Sequence, residues 1–227
     1  MCPPAPSRVC RPALVGAVLL YAFGSSPAEA QRGLRPVTYR PEPRVYLSAM
    51  ATYQWGGTIN TTQGDLTIED SENFAAALNF PVRPGAKGEL YYSYQPTTLS
   101  REYAGGVVEP IVPMNVHYFQ LGGRYEPARP GGLMPFFAGS AGAVLFDAGS
   151  TGGIDYGSNW EFAFRFSLGA TAMFSSRLGL RGELGMLLPI FWSGGGFMCG
   201  GAGCYGTITG TSTVVQGTVG GGLTIAF

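Results

Sequence analysis

The chain has 227 residues, 45% of them hydrophobic, and no formal net charge, with 14 basic and 14 acidic side chains. The length suits one domain of ordinary size, the hydrophobic content is above that of a disordered chain, and the missing basic excess speaks against nucleic acid as a partner. A single histidine restricts metal and acid–base chemistry, while 36 glycines, 13% aromatic and only 12% charged residues leave a secreted all-β domain or a transmembrane barrel.

Residues 1–30 have the form of a secretory signal peptide. Arg8 and Arg11 precede a short apolar run, Ala13 to Gly24, and Ala28-Glu29-Ala30 fits the small-x-small rule for cleavage before Gln31. The run is too short for the ~20 residues of a spanning helix. Cys2 and Cys10 precede it and so are not lipoprotein cysteines. Residues 31–43, with Pro36, Pro41 and Pro43, form an extended periplasmic lead-in, and 44–227 make up the folded domain.

From residue 44 onward the hydrophobic period is two, which predicts strands. They are expected over 44–57, 73–83, 87–96, 114–126, 135–146, 160–174, 178–192 and 213–227. The clearest runs from Trp160 to Phe174, where Trp160, Phe162, Phe164, Phe166 and Leu168 alternate with Glu161, Ala163, Arg165 and Ser167. The next repeats the pattern, with Leu178, Leu180, Leu184, Met186, Leu188 and Ile190 opposite Arg181 and Glu183. Such faces persist for the ~9–11 residues of a tilted membrane strand, whereas soluble strands average ~5–6. Trp and Phe at their ends suit a membrane interface. The 135–146 strand is apolar on both faces. Connections near 84–86, 127–134 and 175–177 are short or Pro/Gly-rich, and those at 58–72, 97–113, 147–159 and 193–212 are longer and polar or Gly-rich. This alternation matches short periplasmic turns and long outer loops. The predicted fold is all-β, an antiparallel up-and-down transmembrane β-barrel of about eight strands, in the bacterial outer membrane after export through the periplasm.

The chain stops on Phe227, after Val219, Gly221, Leu223 and Ile225 on one face. This ending resembles the signal that outer-membrane assembly machinery recognises. Residues 44–227 resemble the small OmpA-type barrel superfamily. The run Glu89-Leu90-Tyr91-Tyr92-Ser93-Tyr94-Gln95, the later Gly122-Gly123 and a cysteine pair in the last outer loop are similar to a group of uncharacterised proteobacterial outer-membrane barrel proteins. The resemblance implies a barrel without a peptidoglycan-binding domain, with outer-membrane lipid, the assembly machinery and an extracellular ligand at the loops as partners.

Glu89, Arg124, Glu161, Arg165, Arg181 and Glu183 fall on the face opposite the apolar one and are expected to form a lumen charge network. Small barrels are filled by side chains, and unpaired buried charge costs several kcal/mol; a charged ion pathway is the competing reading. In an oxidising compartment Cys199 and Cys204 are expected to form a disulfide, since two thiols without further ligands make a poor zinc site. Asp65, Glu69, Asp70 and Glu72 match no calcium-loop spacing and read as a solvated acidic face. Gly201 to Gly206 fits G-x-G-x-x-G, but without a strand–helix context it is a chance match in a glycine-rich chain. His117 is followed two residues on by Phe119, where a lipid A deacylase has Ser, and reads as an interface or loop-base histidine. No catalytic, cofactor or metal residues are assigned. The expectation is a non-enzymatic barrel with a structural or loop-mediated role and a lumen plugged by paired charges. The alternatives are a narrow pore and, ranked last, a lipid-modifying enzyme.

Overall fold

The computed structural model describes residues 44–61, 64–103, 107–127, 132–151, 154–192, 199–200, 203–204 and 212–227. The expected signal peptide and lead-in lie outside the described residues. Strands occupy β1 (Tyr46–Gln54), β2 (Gly57–Thr61), β3 (Gly64–Ile68), β4 (Ser71–Arg83), β5 (Ala86–Tyr103), β6 (Val107–Tyr125), β7 (Leu133–Thr151), β8 (Ile154–Met173) and β9 (Leu178–Phe191). Three two-residue strands follow, β10 (Cys199–Gly200), β11 (Gly203–Cys204) and β12 (Ser212–Thr213), and then β13 (Gln216–Ala226).

The long strands close into an antiparallel ring in the order β1-β4-β5-β6-β7-β8-β9-β13 and back to β1. Closure removes the open sheet edge that hydrocarbon does not tolerate. Alternation decides which side chains point where. On β1 the burial alternates without a break, with Tyr46, Ser48, Met50, Thr52 and Gln54 inside. Large apolar residues are exposed on the outside of every long strand of the ring, Leu47, Phe74, Leu90, Leu121, Phe137, Phe164, Leu184 and Leu223 among them. Every long strand thus presents an apolar outer face, the pattern selected by lipid in a transmembrane barrel.

At one end the ring has short turns. Pro84-Gly85 joins β4 to β5, and Gly85 has φ +76°, the conformation that the Pro-Gly signature of a type II turn requires. Between β8 and β9 the Ser175 hydroxyl accepts hydrogen bonds from the backbone N–H of Arg177 at 3.2 Å and Leu178 at 2.9 Å. At the other end the structure corrects the expected polar loops. Most of 58–72, 97–113 and 147–159 is strand, so β5, β6, β7 and β8 run on for 18, 19, 19 and 20 residues. The reason is a second set of alternating residues. Ile59, Leu66, Ile68, Leu99, Val112 and Met114 point inward there and are buried in a core with Phe146, Tyr156, Leu187 and Phe191.

These extensions also account for three of the six prolines that sit in the described strands. A proline lacks the N–H that an interior ladder needs. Pro96 lies where β5 has left β4, whose pairing ends at Tyr94, and has not yet met β3, whose pairing begins at Leu99. Pro110 and Pro113 lie on β6 before its pairing with β7 starts at Asn115. Among the described residues the outer part of β6 therefore has β5 on one side only.

Candidate functional site

The interior has three levels. Nearest the short turns is a charged level built by inward residues of β4, β5, β6, β8 and β9. Its centre is a closed square of two arginines and two glutamates. Arg165 donates from Nη1 to Glu89 Oε1 at 2.9 Å and from Nη2 to Glu183 Oε1 at 2.7 Å. Arg181 donates from Nη2 to Glu89 Oε2 at 3.0 Å and to Glu183 Oε2 at 2.7 Å, with Nε adding a second bond to Glu183 Oε2 at 3.0 Å. Each carboxylate thus bridges both guanidinium groups, and the square is neutral.

Neutral and aromatic groups complete it. Asn79 Nδ2 donates to Glu89 Oε2 at 2.8 Å, and its Oδ1 accepts from Arg181 at 3.2 Å and Arg124 at 3.3 Å. Arg124 also donates to Glu126 at 2.7 Å and to the Thr171 hydroxyl at 2.8 Å, and Lys87 reaches Glu126 at 2.8 Å. The Arg165 guanidinium lies 3.8 Å from the centre of the Tyr91 ring, and those of Arg124 and Arg181 lie 3.7 and 4.8 Å from the centre of Phe136. A desolvated cation over a ring face gains from the ring's quadrupole, and the fork of a guanidinium matches a carboxylate with two parallel bonds.

The middle level is uncharged. Asn73 donates to Gln54, Gln54 donates to Gln216 Oε1 at 3.2 Å, and the Tyr118 hydroxyl donates to the same oxygen. Above it stands the apolar core already described, which extends past the aromatic residues of the outer wall into the hairpins. The lumen is therefore filled in two chemically different ways, by charge below and by hydrocarbon above.

Five of the six expected network residues meet in this arrangement, Glu89, Arg165, Arg181 and Glu183 in the square and Arg124 through Asn79. Glu161 does not. It is inward on β8 but four residues nearer the outer end than Arg165, partly exposed, and its described partner is Asn159 Nδ2 at 3.0 Å. Sequence reasoning missed Lys87 and Glu126, although Lys87 shares a face with Glu89 and Glu126 shares one with Arg124. It also missed the two aromatic rings. Phe136 was hidden by a strand apolar on both faces, and the inner role of Tyr91 by a run of tyrosines. Cys199 and Cys204 stand directly opposite each other in the β10–β11 register. Among the described residues no group of three or more His, Cys, Asp or Glu is placed to hold a metal ion. Phe227 is exposed on the outer wall beside β1, its N–H donating to the Val45 carbonyl at 2.9 Å.

No protein-family model matches the chain, and no curated protein matches it in sequence. The structure is similar to that of Neisserial surface protein A, with a TM-score of 0.55, 11% identity, and coverage of 81% of this chain and 97% of that one. It is equally similar to the outer membrane protein OprG from Pseudomonas aeruginosa, with a TM-score of 0.55, 9% identity, and coverage of 82% of this chain and 96% of that one. The fold shared with these two outer-membrane proteins is a small antiparallel β-barrel, closed here by a ring of eight long strands.

Proposed function

We propose that this protein is a non-enzymatic barrel of the bacterial outer membrane, closed to solutes, which acts as a structural element or through its outer hairpins. The observation that carries the reading is the filled lumen. A selective channel shows rings of one sign of charge along an open path. Here the carboxylates of the square are matched one to one by arginines, and an apolar core lies across the outer half. The lipid-facing wall and the similarity to outer-membrane barrels support the location. The test is single-channel recording of the purified barrel in planar bilayers. The expected result is a membrane with no steady conductance; a steady wild-type channel would replace this reading with a narrow pore.

The outer hairpins give the interacting surface a sign. Segments 57–72, 96–114 and 147–159 carry Asp65, Glu69, Asp70, Glu72, Glu102, Glu109, Asp147 and Asp155 against Arg101 alone. A loop ligand would accordingly be cationic. Residues 1–30 act as the signal peptide, with Gln31 as the mature N-terminus, and Phe227 is the residue presented to the assembly machinery.

Cys199 and Cys204 form a disulfide at the tip of the last hairpin. Directly opposed residues of an antiparallel pair have Cα atoms roughly 4.5–5.5 Å apart, within the roughly 4.4–6.8 Å that a disulfide spans. Alkylation of the exported protein without reductant, read by intact mass, is expected to add no label. Two labels would show free thiols.

A further inference from the structure

Outside the lumen the wall carries a groove of about 460 Å³ across β4, β5, β6 and β7. Its origin is a change of side-chain size along one row. In register, Leu78, Leu90 and Leu121 stand side by side and are followed by Ala141. One row nearer the outer end, Ala76 is followed by Tyr92 and Phe119. The small residues leave the hollow and the large ones bound it.

Directly above, toward the outer hairpins, the wall becomes polar. The Tyr92 hydroxyl and His117 Nδ1 are hydrogen-bonded at 3.0 Å, and in the tautomer in which the tyrosine donates the ring proton is on Nε2. The Tyr94 hydroxyl donates to Asn115 Oδ1 at 2.9 Å, which leaves the Asn115 amide N–H groups as donors. The rings of Tyr92, Tyr94, His117 and Phe119 lie against one another, with centroids 5.1–6.5 Å apart. Asp147 faces Asn115 from β7, so the patch suits a neutral acceptor better than an anion.

Resting on the membrane location proposed above, we infer that this wall is a binding site for one acyl-ester lipid of the surrounding bilayer. Its acyl chain fills the groove and its ester carbonyl accepts from His117 Nε2 and Asn115. An apolar hollow across these strands, with hydrogen-bond donors a few residues further toward the outer hairpins, matches the two halves of a lipid.

The experiment is native mass spectrometry of the barrel released from nanodiscs of phosphatidylethanolamine. The wild type is expected to retain one lipid at collision energies that strip the rest. Filling the groove with Ala76→Phe and Ala141→Phe should lower the retained fraction about tenfold, and His117→Leu several-fold. On the opposite wall, where a Cβ on Gly182 meets nothing within 4 Å, Gly182→Leu should leave retention at the wild-type level. Ala141→Leu alone serves if the double variant does not fold, and should also lose lipid. Equal retention by wild type and groove variants overturns the site, and so does a retained second barrel in place of lipid. Heat-modifiable mobility after refolding into vesicles reads insertion separately: a barrel that inserts but keeps no lipid sinks the lipid site alone, whereas one that fails to insert sinks the membrane location with it.

Discussion

Glu183→Gln is expected to lower the unfolding free energy of the barrel by roughly 3–5 kcal/mol, the usual cost of leaving a buried charge without its partner. The change keeps the shape of the side chain and removes one of the two negative charges of the square. Arg165 and Arg181 then share Glu89 alone, with no solvent to take up the excess charge, since both guanidinium groups and both carboxylates are buried. Urea titration of the barrel in lipid vesicles, followed by tryptophan fluorescence, measures the effect. Glu161→Gln is the internal comparison. Its carboxylate is partly exposed and stands apart from the square, so it should shift stability by less than about 0.5 kcal/mol. Equal losses from the two substitutions would show that the square contributes nothing particular to stability.

The apolar level should respond to deletion of bulk instead of charge. Phe146 and Phe191 are both fully buried in the outer core, and their ring centroids lie 5.5 Å apart at 34°. Truncating either to Ala is expected to cost about 3–5 kcal/mol through lost burial and an unfilled cavity. Because the rings touch, the double variant should cost less than the sum of the two. The same vesicle titration tests this, and additive losses would mean that the pair is not in contact. Single-channel recording separates the two levels: neither Phe146→Ala nor Glu183→Gln alone should produce a steady current, because each leaves the other obstruction in place.

The parts of the fold that were legible from sequence are those where the outer wall is apolar. Trp160 to Phe174 and Leu178 to Ile190 are apolar at every second position, and both strands stand where the alternation put them. The outer hairpins lacked that signal. Their external residues are polar, so Thr58, Thr67 and Thr98 gave 58–72 and 97–113 the composition of loops. Only the inward set, Ile59, Leu66, Leu99 and Val112, marks them as strands, and one apolar residue in two is weak evidence over so short a stretch. The charged square was legible because parity alone assigns Glu89, Arg165, Arg181 and Glu183 to the interior. Parity does not give height, and for that reason Glu161 was grouped with residues well below it. The division of the lumen into a charged and an apolar level depends on that same missing coordinate, since it appears only when eight strands are brought into register.

The prolines of β6 have a consequence for how these molecules sit beside one another. Two barrels that meet at their rims bring exposed backbone together. A strand with a free flank normally invites a neighbour to continue the sheet. Pro110 and Pro113 offer no N–H and fix their own φ, so a second molecule laid along this flank meets an interrupted set of donors. The outer rim can thus keep a free flank without becoming a seam along which neighbouring molecules zip together.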